Sequence, residues 1–316
     1  MKVYLAGETP MSKDEGWSRD VDGWQTGALA SIIQRRLYSY YYHGFKRGNR
    51  LDKEVLISVD SKMELFLDSG AFSAHTQGET ISIEQYADFI HQHGHLFTVR
   101  ANLDDIGDTG PKSWANWQRL REMKCDVFPV HHAADEDRYL NMILEQLNQP
   151  TDFMALGGLV GASRNVLRTW LDRIWSQFLT NENGTPKLRV HGFGLTDTEL
   201  MLRYPWYSVD SSSWVMTGIF GACIFRDGST FYKVTFSDES PDKTSIGGWH
   251  YNNLVPAQRK KVDGWLEHHG VTAEQLAGHY SFRHLVNART FTEIELMETP
   301  KTFFKQQDTL FDDLFE

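Results

Sequence analysis

Carboxylates and small polar residues follow two of the apolar runs in this sequence. A buried strand does not by itself require such residues at its end. In "LFLDSGAF" the apolar run is followed by Asp68, Ser69 and Gly70, and in "FTVRANLDD" it is followed by Asp104 and Asp105. A single aspartate at such a place is commonly a turn residue or a helix cap. Two carboxylates in one pocket can instead act as a nucleophile and a proton shuttle, and a glycosidic bond is a natural substrate for such a pair.

Four later apolar runs end in the same way. Glycines there would let a flat ligand approach backbone N–H and C=O groups that can read a heterocycle. Aspartate and histidine could also bind a metal ion, as in a barrel hydrolase, and this alternative stays open. The strand-end residues are His131 and His132, Gly157, Gly158 and Leu159, His191, Gly192 and Gly194, and Asp210.

Eight short apolar runs, most of them separated by helical patterns, must position these side chains. The repeated alternation predicts an α/β fold, a (β/α)₈ TIM barrel, whose strand ends form one ring around one site. An open doubly wound sheet is the rival. The strands are predicted over 2–7, 37–43, 65–70, 97–104, 126–132, 153–158, 188–194 and 207–211, and helices over 83–94, 112–124, 135–148 and 163–179.

The remainder of the chain is predicted to complete a single domain over 1–316. An insertion over about 215–255 follows the eighth strand and contains a hairpin that turns at Asp227-Gly228. Closing helices are predicted over about 256–295. A barrel of this type needs roughly 250 residues, which the chain of 316 residues accommodates.

Composition narrows the function classes. The net charge of −10 counts against a nonspecific nucleic-acid binder, although basic residues could still line a local groove. The sequence has no apolar run of transmembrane length and no signal peptide, so we predict no membrane association and a cytoplasmic location. Cys125 and Cys223 are the only cysteines, which excludes a cysteine-rich zinc site. We predict no metal and no cofactor.

The six strand ends, taken in order, resemble those of the tRNA-guanine transglycosylases. "LDSGAFSA" is similar to the family signature "DSGGFQ", and "ALGGLVG" is similar to its "GGL" turn. "ANLDD" looks like the family's base-binding strand end, and "FPVHH" lies where the family has a strand that ends in Gln-Gly. "VHGFG" is similar to the family's seventh strand, which forms the floor of the pocket, and "SVDSSSW" is similar to its nucleophile strand. The resemblance covers about residues 60–215.

This resemblance implies a base exchange through a covalent glycosyl-enzyme intermediate, in which guanine leaves and a free 7-deazaguanine base such as preQ0 enters. Asp210 matches the nucleophile, Asp68 matches the general acid/base, and Asp104 matches the carboxylate that reads the guanine edge. The other matched residues bind the base, and they are Ser69, Gly70, Phe72, His131, Gly157, Gly158, Leu159 and Gly192.

This sequence departs from the family pattern at three places, and these departures bear on which polynucleotide is the expected substrate. The zinc site of three cysteines and a histidine cannot form, His131 stands in place of a glutamine, and "SSSWVMTG" replaces a basic motif. Phage and bacterial relatives that place 7-deazaguanines in DNA look like the closer match, so DNA is preferred over tRNA. A tRNA-guanine transglycosylase, an N-glycoside hydrolase and a noncatalytic nucleic-acid binder remain the alternatives.

The reacting nucleotide must leave its stack to reach a nucleophile in a barrel mouth. We therefore expect basic and aromatic side chains to hold the neighbouring nucleotides. The candidates lie in a loop predicted over 44–62 and just after the nucleophile, and they are Lys46, Arg47, Arg50, Trp214 and Arg226.

Overall fold

Eight parallel strands form the centre of the molecule, in a computed structural model that describes residues 1–7, 33–147, 149–228, 230–240 and 249–304. The predicted α/β class is confirmed. The strands are β1 Lys2–Leu5, β2 Arg35–Ser39, β3 Glu64–Asp68, β4 Val99–Arg100, β5 Val130–His132, β6 Phe153–Gly157, β7 Arg189–Gly192 and β8 Ser208–Ser211.

The strands pair in the order β4-β3-β2-β1-β8-β7-β6-β5, so the first strand lies between the second and the eighth. This curled sheet is compatible with a TIM-like barrel. A further parallel bridge joins Ala101, just after β4, to Phe128, just before β5. The Phe128 N–H donates to the Arg100 carbonyl over 3.0 Å, and the Asn102 N–H donates to the Phe128 carbonyl over 2.9 Å.

Helices follow most of the strands and cover the outer face of the sheet. Ser82 and Ser163 cap two of them by accepting a backbone N–H, which relieves the unpaired donors of a first helical turn. The helices up to the eighth strand are α1 Tyr40–His43, α2 Lys53–Asp60, α3 Ala71–Thr76, α4 Ile83–His93, α5 Pro111–Glu122, α6 Asp137–Gln146, α7 Arg164–Ile174 and α8 Thr198–Arg203.

Three segments differ from their predicted form. The strand predicted over 37–43 ends at Ser39, and Tyr40–His43 form the helix α1. The helix predicted over 163–179 changes at Trp175–Leu179 to a π-helical turn. The loop predicted over 44–62 contains a 3₁₀ turn at Phe45–Arg47 and the helix α2. Asp52 accepts the Glu54 N–H over 3.1 Å at the start of that helix, a capping signal that the loop prediction missed.

Apolar packing occurs on both faces of the sheet. The larger cluster lies between the strands and the surrounding helices. A smaller cluster on the inner face consists of Tyr4, Ala6, Leu37, Phe66, Ala101, Phe128, Val130 and Ala155. Because side chains alternate along a strand, the residue two positions after Phe66, which is Asp68, faces the same side.

The chain continues after β8 with helix α9 Ser213–Ile219 and an antiparallel hairpin. Its strands are β9 Ala222–Asp227 and β10 Thr230–Thr235. The helices α10 Pro256–His269, α11 Ala273–Gly278 and α12 Tyr280–Glu295 follow. Asn287 on α12 ties this part together, since it accepts the Ile224 N–H over 2.8 Å and donates to the Trp214 carbonyl over 3.0 Å.

Candidate active site

Asp68 ends β3 beside a tight turn. Its Oδ2 accepts the Gly70 N–H over 2.9 Å. Gly70 has φ +75°, and a Cβ there would lie 2.3 Å from the Ser39 Oγ and 2.4 Å from the Tyr41 Cβ. Only glycine therefore suits this position. The turn explains the residue types after the strand, and it also holds the Asp68 carboxyl at the strand end.

Asp104 lies between two partners that are distant from it in sequence. Its Oδ1 accepts the Ser69 hydroxyl over 2.8 Å, and its Oδ2 lies 2.9 Å from the His132 Nε2. Burial disfavours the charged form of Asp104, but the His132 hydrogen bond and charge outweigh it and lower the pKa of Asp104. Although burial acts in the opposite direction, the same carboxylate raises the pKa of His132. The pair therefore holds Asp104 ionised.

Asp210 on β8 is buried and receives two hydrogen bonds at one oxygen. The Gly194 N–H donates to Oδ1 over 2.9 Å, and the His191 Nε2 lies 3.2 Å from the same atom. The other ring nitrogen of His191, Nδ1, lies 2.9 Å from the Ser208 Oγ. His191 is fully buried, and burial lowers its pKa although Asp210 opposes that effect. A neutral imidazole therefore links Ser208 to Asp210.

Two of the three carboxylates act on the third. Burial, and then the negative charges of Asp104 and Asp210, raise the pKa of Asp68 to about 8. Asp68 keeps partial contact with solvent, which suits a group that must exchange a proton. A carboxylic acid beside two further carboxylates is the arrangement in which acid and nucleophile roles separate.

His131 and His132 lie on opposite faces of β5. The structure places His132 against Asp104, whereas the His131 ring stacks 6.4 Å from the Trp170 ring, on the helix side of the sheet. The histidine position near the predicted base pocket is thus occupied by His132, and His131 packs away from it. Burial lowers the pKa of His131 to about 4.

The predicted glycines leave room for neighbouring rings. A Cβ on Gly157 would lie 2.1 Å from the His132 Cδ2, so glycine is needed for His132 to reach its observed place. Gly158 follows with φ +73°. A Cβ on Gly192 would lie 3.2 Å from the Trp206 ring. Leu159 is buried in the larger apolar cluster.

Phe72 is an exposed apolar side chain among the predicted base-binding residues, with 57% of its surface accessible to solvent. It lies in the first turn of α3, four positions after Asp68, while Ser69 between them is fully buried. An exposed aromatic ring next to a strand-end carboxyl is available to a planar ligand.

The residues predicted to hold nucleic acid have other partners. Lys46 pairs with Glu79, and Arg47 pairs with Asp52 over 2.5 Å. Arg50 is exposed and donates to the Arg47 carbonyl.

Two further residues that were predicted to hold nucleic acid, both after β8, are also engaged. Trp214 is fully buried and donates to the Ala6 carbonyl over 2.7 Å, so its ring cannot stack on a base in this structure. Arg226 lies 3.8 Å from Glu293. The prediction of a stacking role for Trp214 therefore needs correction.

One group of possible metal ligands occurs among the described residues. His268, His269 and Glu293 lie on α10 and α12, away from the strand ends, and two arginines, Arg226 and Arg289, approach Glu293 to 3.8 Å. Their charges disfavour a cation there. Cys125 and Cys223 are both buried and free.

Comparisons with known proteins add no family assignment. No model of a known protein family matches the chain, and no relative was found among curated proteins. Within the described ranges, no helix is long and apolar enough to cross a membrane.

Three contacts in the site were not predicted from the sequence. The His191 hydrogen bond to Asp210, the Gly194 N–H and the His132 contact with Asp104 appear only in the structure. The motifs "VHGFG" and "FPVHH" contained these residues. Their pairing depends on which face of each strand points inward.

Proposed function

We propose that the protein is a base-exchange transglycosylase that replaces guanine in a polynucleotide with a 7-deazaguanine. The observation that carries this proposal is the group of three strand-end carboxylates in unlike surroundings. Asp68 has a pKa raised to about 8, Asp104 has a lowered pKa, and Asp210 receives two hydrogen bonds at one oxygen. In this proposal the Ala101–Phe128 bridge closes a (β/α)₈ barrel, and the β9–β10 hairpin belongs to an insertion after its eighth strand.

The first half-reaction removes guanine. The Asp210 carboxylate attacks C1′ of the nucleotide, so an oxygen–C1′ bond forms while the C1′–N9 bond breaks. The electron pair of the broken bond stays with guanine, and the Asp68 carboxylic acid donates its proton to the leaving base. Asp68 with a pKa of about 8 is mostly protonated at pH 7, as this step requires.

The second half-reaction reverses these transfers with a different base. The Asp68 carboxylate takes the N9 proton of the incoming 7-deazaguanine, and N9 attacks C1′. The bond between C1′ and Asp210 breaks, and Asp210 leaves as a carboxylate. One residue thus serves as acid and then as base, which microscopic reversibility demands of such exchange.

Asp104 is proposed to select the base. An ionised carboxylate can accept hydrogen bonds from N1–H and from the 2-amino group of guanine, and adenine does not offer that pair. Ser69 and His132 hold Asp104 in place through its two oxygens. Gly157 admits the His132 ring, and the exposed Phe72 supplies a face on which a base can stack.

DNA is the preferred polymer, and this preference rests on the resemblance stated above. The basic segment at Lys46 and Arg47 is paired with Glu79 and Asp52, so it offers less free positive charge than its sequence implies. A nucleic-acid strand must compete with these pairs, so this segment should contribute only a shallow salt dependence to binding.

The test measures exchange directly. Guanine-labelled DNA and tRNA of matched guanine content are incubated, at one stated salt concentration, with preQ0 and without it. Release of label that needs preQ0 supports the transglycosylase. Release without any added base indicates an N-glycoside hydrolase, and no release from either polymer contradicts both enzymatic functions. Faster exchange on tRNA than on DNA would overturn the polymer preference alone. Asp210→Asn is compared with Asp60→Asn, since Asp60 is an exposed carboxylate at the end of α2.

A further inference from the structure

His191 occupies an unusual place beneath the proposed nucleophile. It lies on β7, directly beside Ser208 of β8 in the strand register. Asp210 is two residues further along β8 and therefore faces the same side of the sheet. The imidazole contacts both, with Nδ1 2.9 Å from the Ser208 Oγ and Nε2 3.2 Å from the Asp210 Oδ1.

Aromatic rings enclose this chain of hydrogen bonds. The ring centres of Phe66 and Phe193 lie 4.5 and 4.7 Å from that of His191, and the Tyr4 ring lies at 6.2 Å. His191 has no exposed surface. Water therefore cannot easily replace the imidazole as a partner of Asp210, and a polar group buried this deeply needs the two bonds that it makes.

The roles of the ring nitrogens follow from their partners. A carboxylate oxygen only accepts, so the Nε2 facing Asp210 carries the hydrogen. Nδ1 of a neutral imidazole then accepts, and the Ser208 hydroxyl donates to it. Ser208 thus selects the tautomer that can donate to Asp210.

We propose that His191 is a positioning residue for Asp210 and that Ser208 sets its tautomer. This inference rests on the proposed function and adds a part to it. Both described donors to Asp210, the His191 imidazole and the Gly194 N–H, reach Oδ1. Oδ2 is then the oxygen that attacks C1′, and Oδ1 becomes the carbonyl oxygen of the glycosyl ester.

These donors matter most when the intermediate breaks down. As the Asp210–C1′ bond breaks in the second half-reaction, its electron pair returns to the carboxylate and negative charge develops on Oδ1 again. Donors already directed at that oxygen stabilise the charge as it forms. Removing the imidazole should therefore slow the second half-reaction and let the covalent adduct accumulate.

Histidine variants test this with an activity assay. We expect His191→Leu to lower kcat roughly ten- to hundredfold, the loss typical of one hydrogen bond to a charged group, with little change in KM. The adduct isolated under denaturing conditions should be a larger fraction of the enzyme than in the wild type. His191→Gln, which keeps an N–H donor, should recover part of kcat. Ser208→Ala should lower kcat by a smaller factor.

A matched control separates positioning from folding. His269→Leu removes an equally buried histidine that has no role in the proposed site, and it should keep wild-type kcat per folded molecule. If His191→Gln is no better than His191→Leu, or if both retain wild-type kcat and adduct level once corrected for folded fraction, the inference is wrong.

A second measurement does not depend on activity. Nitrogen-15 spectra of the histidine side chains should show His191 neutral and protonated at Nε2 near pH 7, and Ser208→Ala should perturb this tautomer. Protonation at Nδ1, or an imidazolium, would overturn the inference whether or not exchange occurs. A wild type with the expected tautomer but without exchange would contradict the proposed function and leave the positioning of Asp210 in place.

Discussion

Replacing Asp68 with asparagine should separate its acid role from its structural role. Asparagine has nearly the same shape, and its side-chain oxygen can still accept the Gly70 N–H that closes the turn. The variant cannot donate a proton as a carboxylic acid or take one up as a base. General acid–base catalysis typically contributes 10²–10⁴-fold, so we expect kcat for base exchange to fall by about that factor.

The pH dependence of activity follows from the raised pKa. Because Asp68 titrates near pH 8, the wild type should lose the protonated form, and with it the first half-reaction, as the pH rises through about 8. The residual activity of Asp68→Asn should lack that alkaline decline. An alkaline limb that stays unchanged in Asp68→Asn would refute the assignment of the acid.

Stability provides a second measurement, and its sign can be worked out. Between about pH 4 and pH 8 the folded protein holds a proton on Asp68 that the unfolded chain releases. The free energy of unfolding should therefore fall as pH rises across that window, by at most ~1.4 kcal/mol per pH unit. The limit over the whole window is ~6 kcal/mol, and the solvent access of Asp68 reduces the expected total to about 2–3 kcal/mol.

Urea unfolding at pH 4, 6 and 8.5 measures this difference. Asp68→Asn should match the wild type near pH 4 and exceed it in stability at pH 8.5. Asp60→Asn, which changes an exposed carboxylate, controls for net charge. Parallel stability curves for the wild type and Asp68→Asn would show that the folded protein does not hold a proton at this site.

Three further substitutions address the rest of the site. Asp210→Asn should abolish the covalent adduct and leave the unfolding midpoint nearly unchanged; near-normal exchange would rule out Asp210 as nucleophile. Asp104→Ala should weaken base binding about tenfold or more, the ~1.5–3 kcal/mol of a hydrogen bond to a charged group, as measured by calorimetry with free base. Gly157→Ala should displace His132 from Asp104, since its Cβ would lie 2.1 Å from the ring, and NMR titration should show the raised pKa of His132 falling. Gly264→Ala, where a Cβ meets no atom within 4 Å, is its control.

Much of the fold was predictable because its signals are local. Each of the eight strands lies in a short apolar run, and Ser163, at the start of the helix predicted over 163–179, caps that helix. The helix α2 was missed because its eight residues were taken for part of a loop. Its Asp52 cap was a readable signal.

The candidate site was less predictable because it depends on strand faces. A buried parallel strand is covered on both faces, so its sequence does not alternate between apolar and polar residues. The motif "FPVHH" therefore does not show which of its two histidines points inward. The structure turns His132 toward Asp104 and His131 toward Trp170. The burial of Trp214 depends on a bond to Ala6, which lies 208 positions away, and no local pattern reveals it.

The inner apolar cluster and the perturbed carboxyl belong to the same physical arrangement. Strand alternation places Phe66 two residues before Asp68, and Phe66 also packs against His191, which contacts Asp210. These rings form an apolar floor on the side of the sheet that Asp68 faces, and burial is the largest cause of the raised pKa of Asp68. A polar floor would hydrate Asp68 and return its pKa toward an ordinary value, at which it would hold no proton to donate at pH 7. In this fold, burial against the packed interior thus favours the protonated form of the Asp68 carboxyl group.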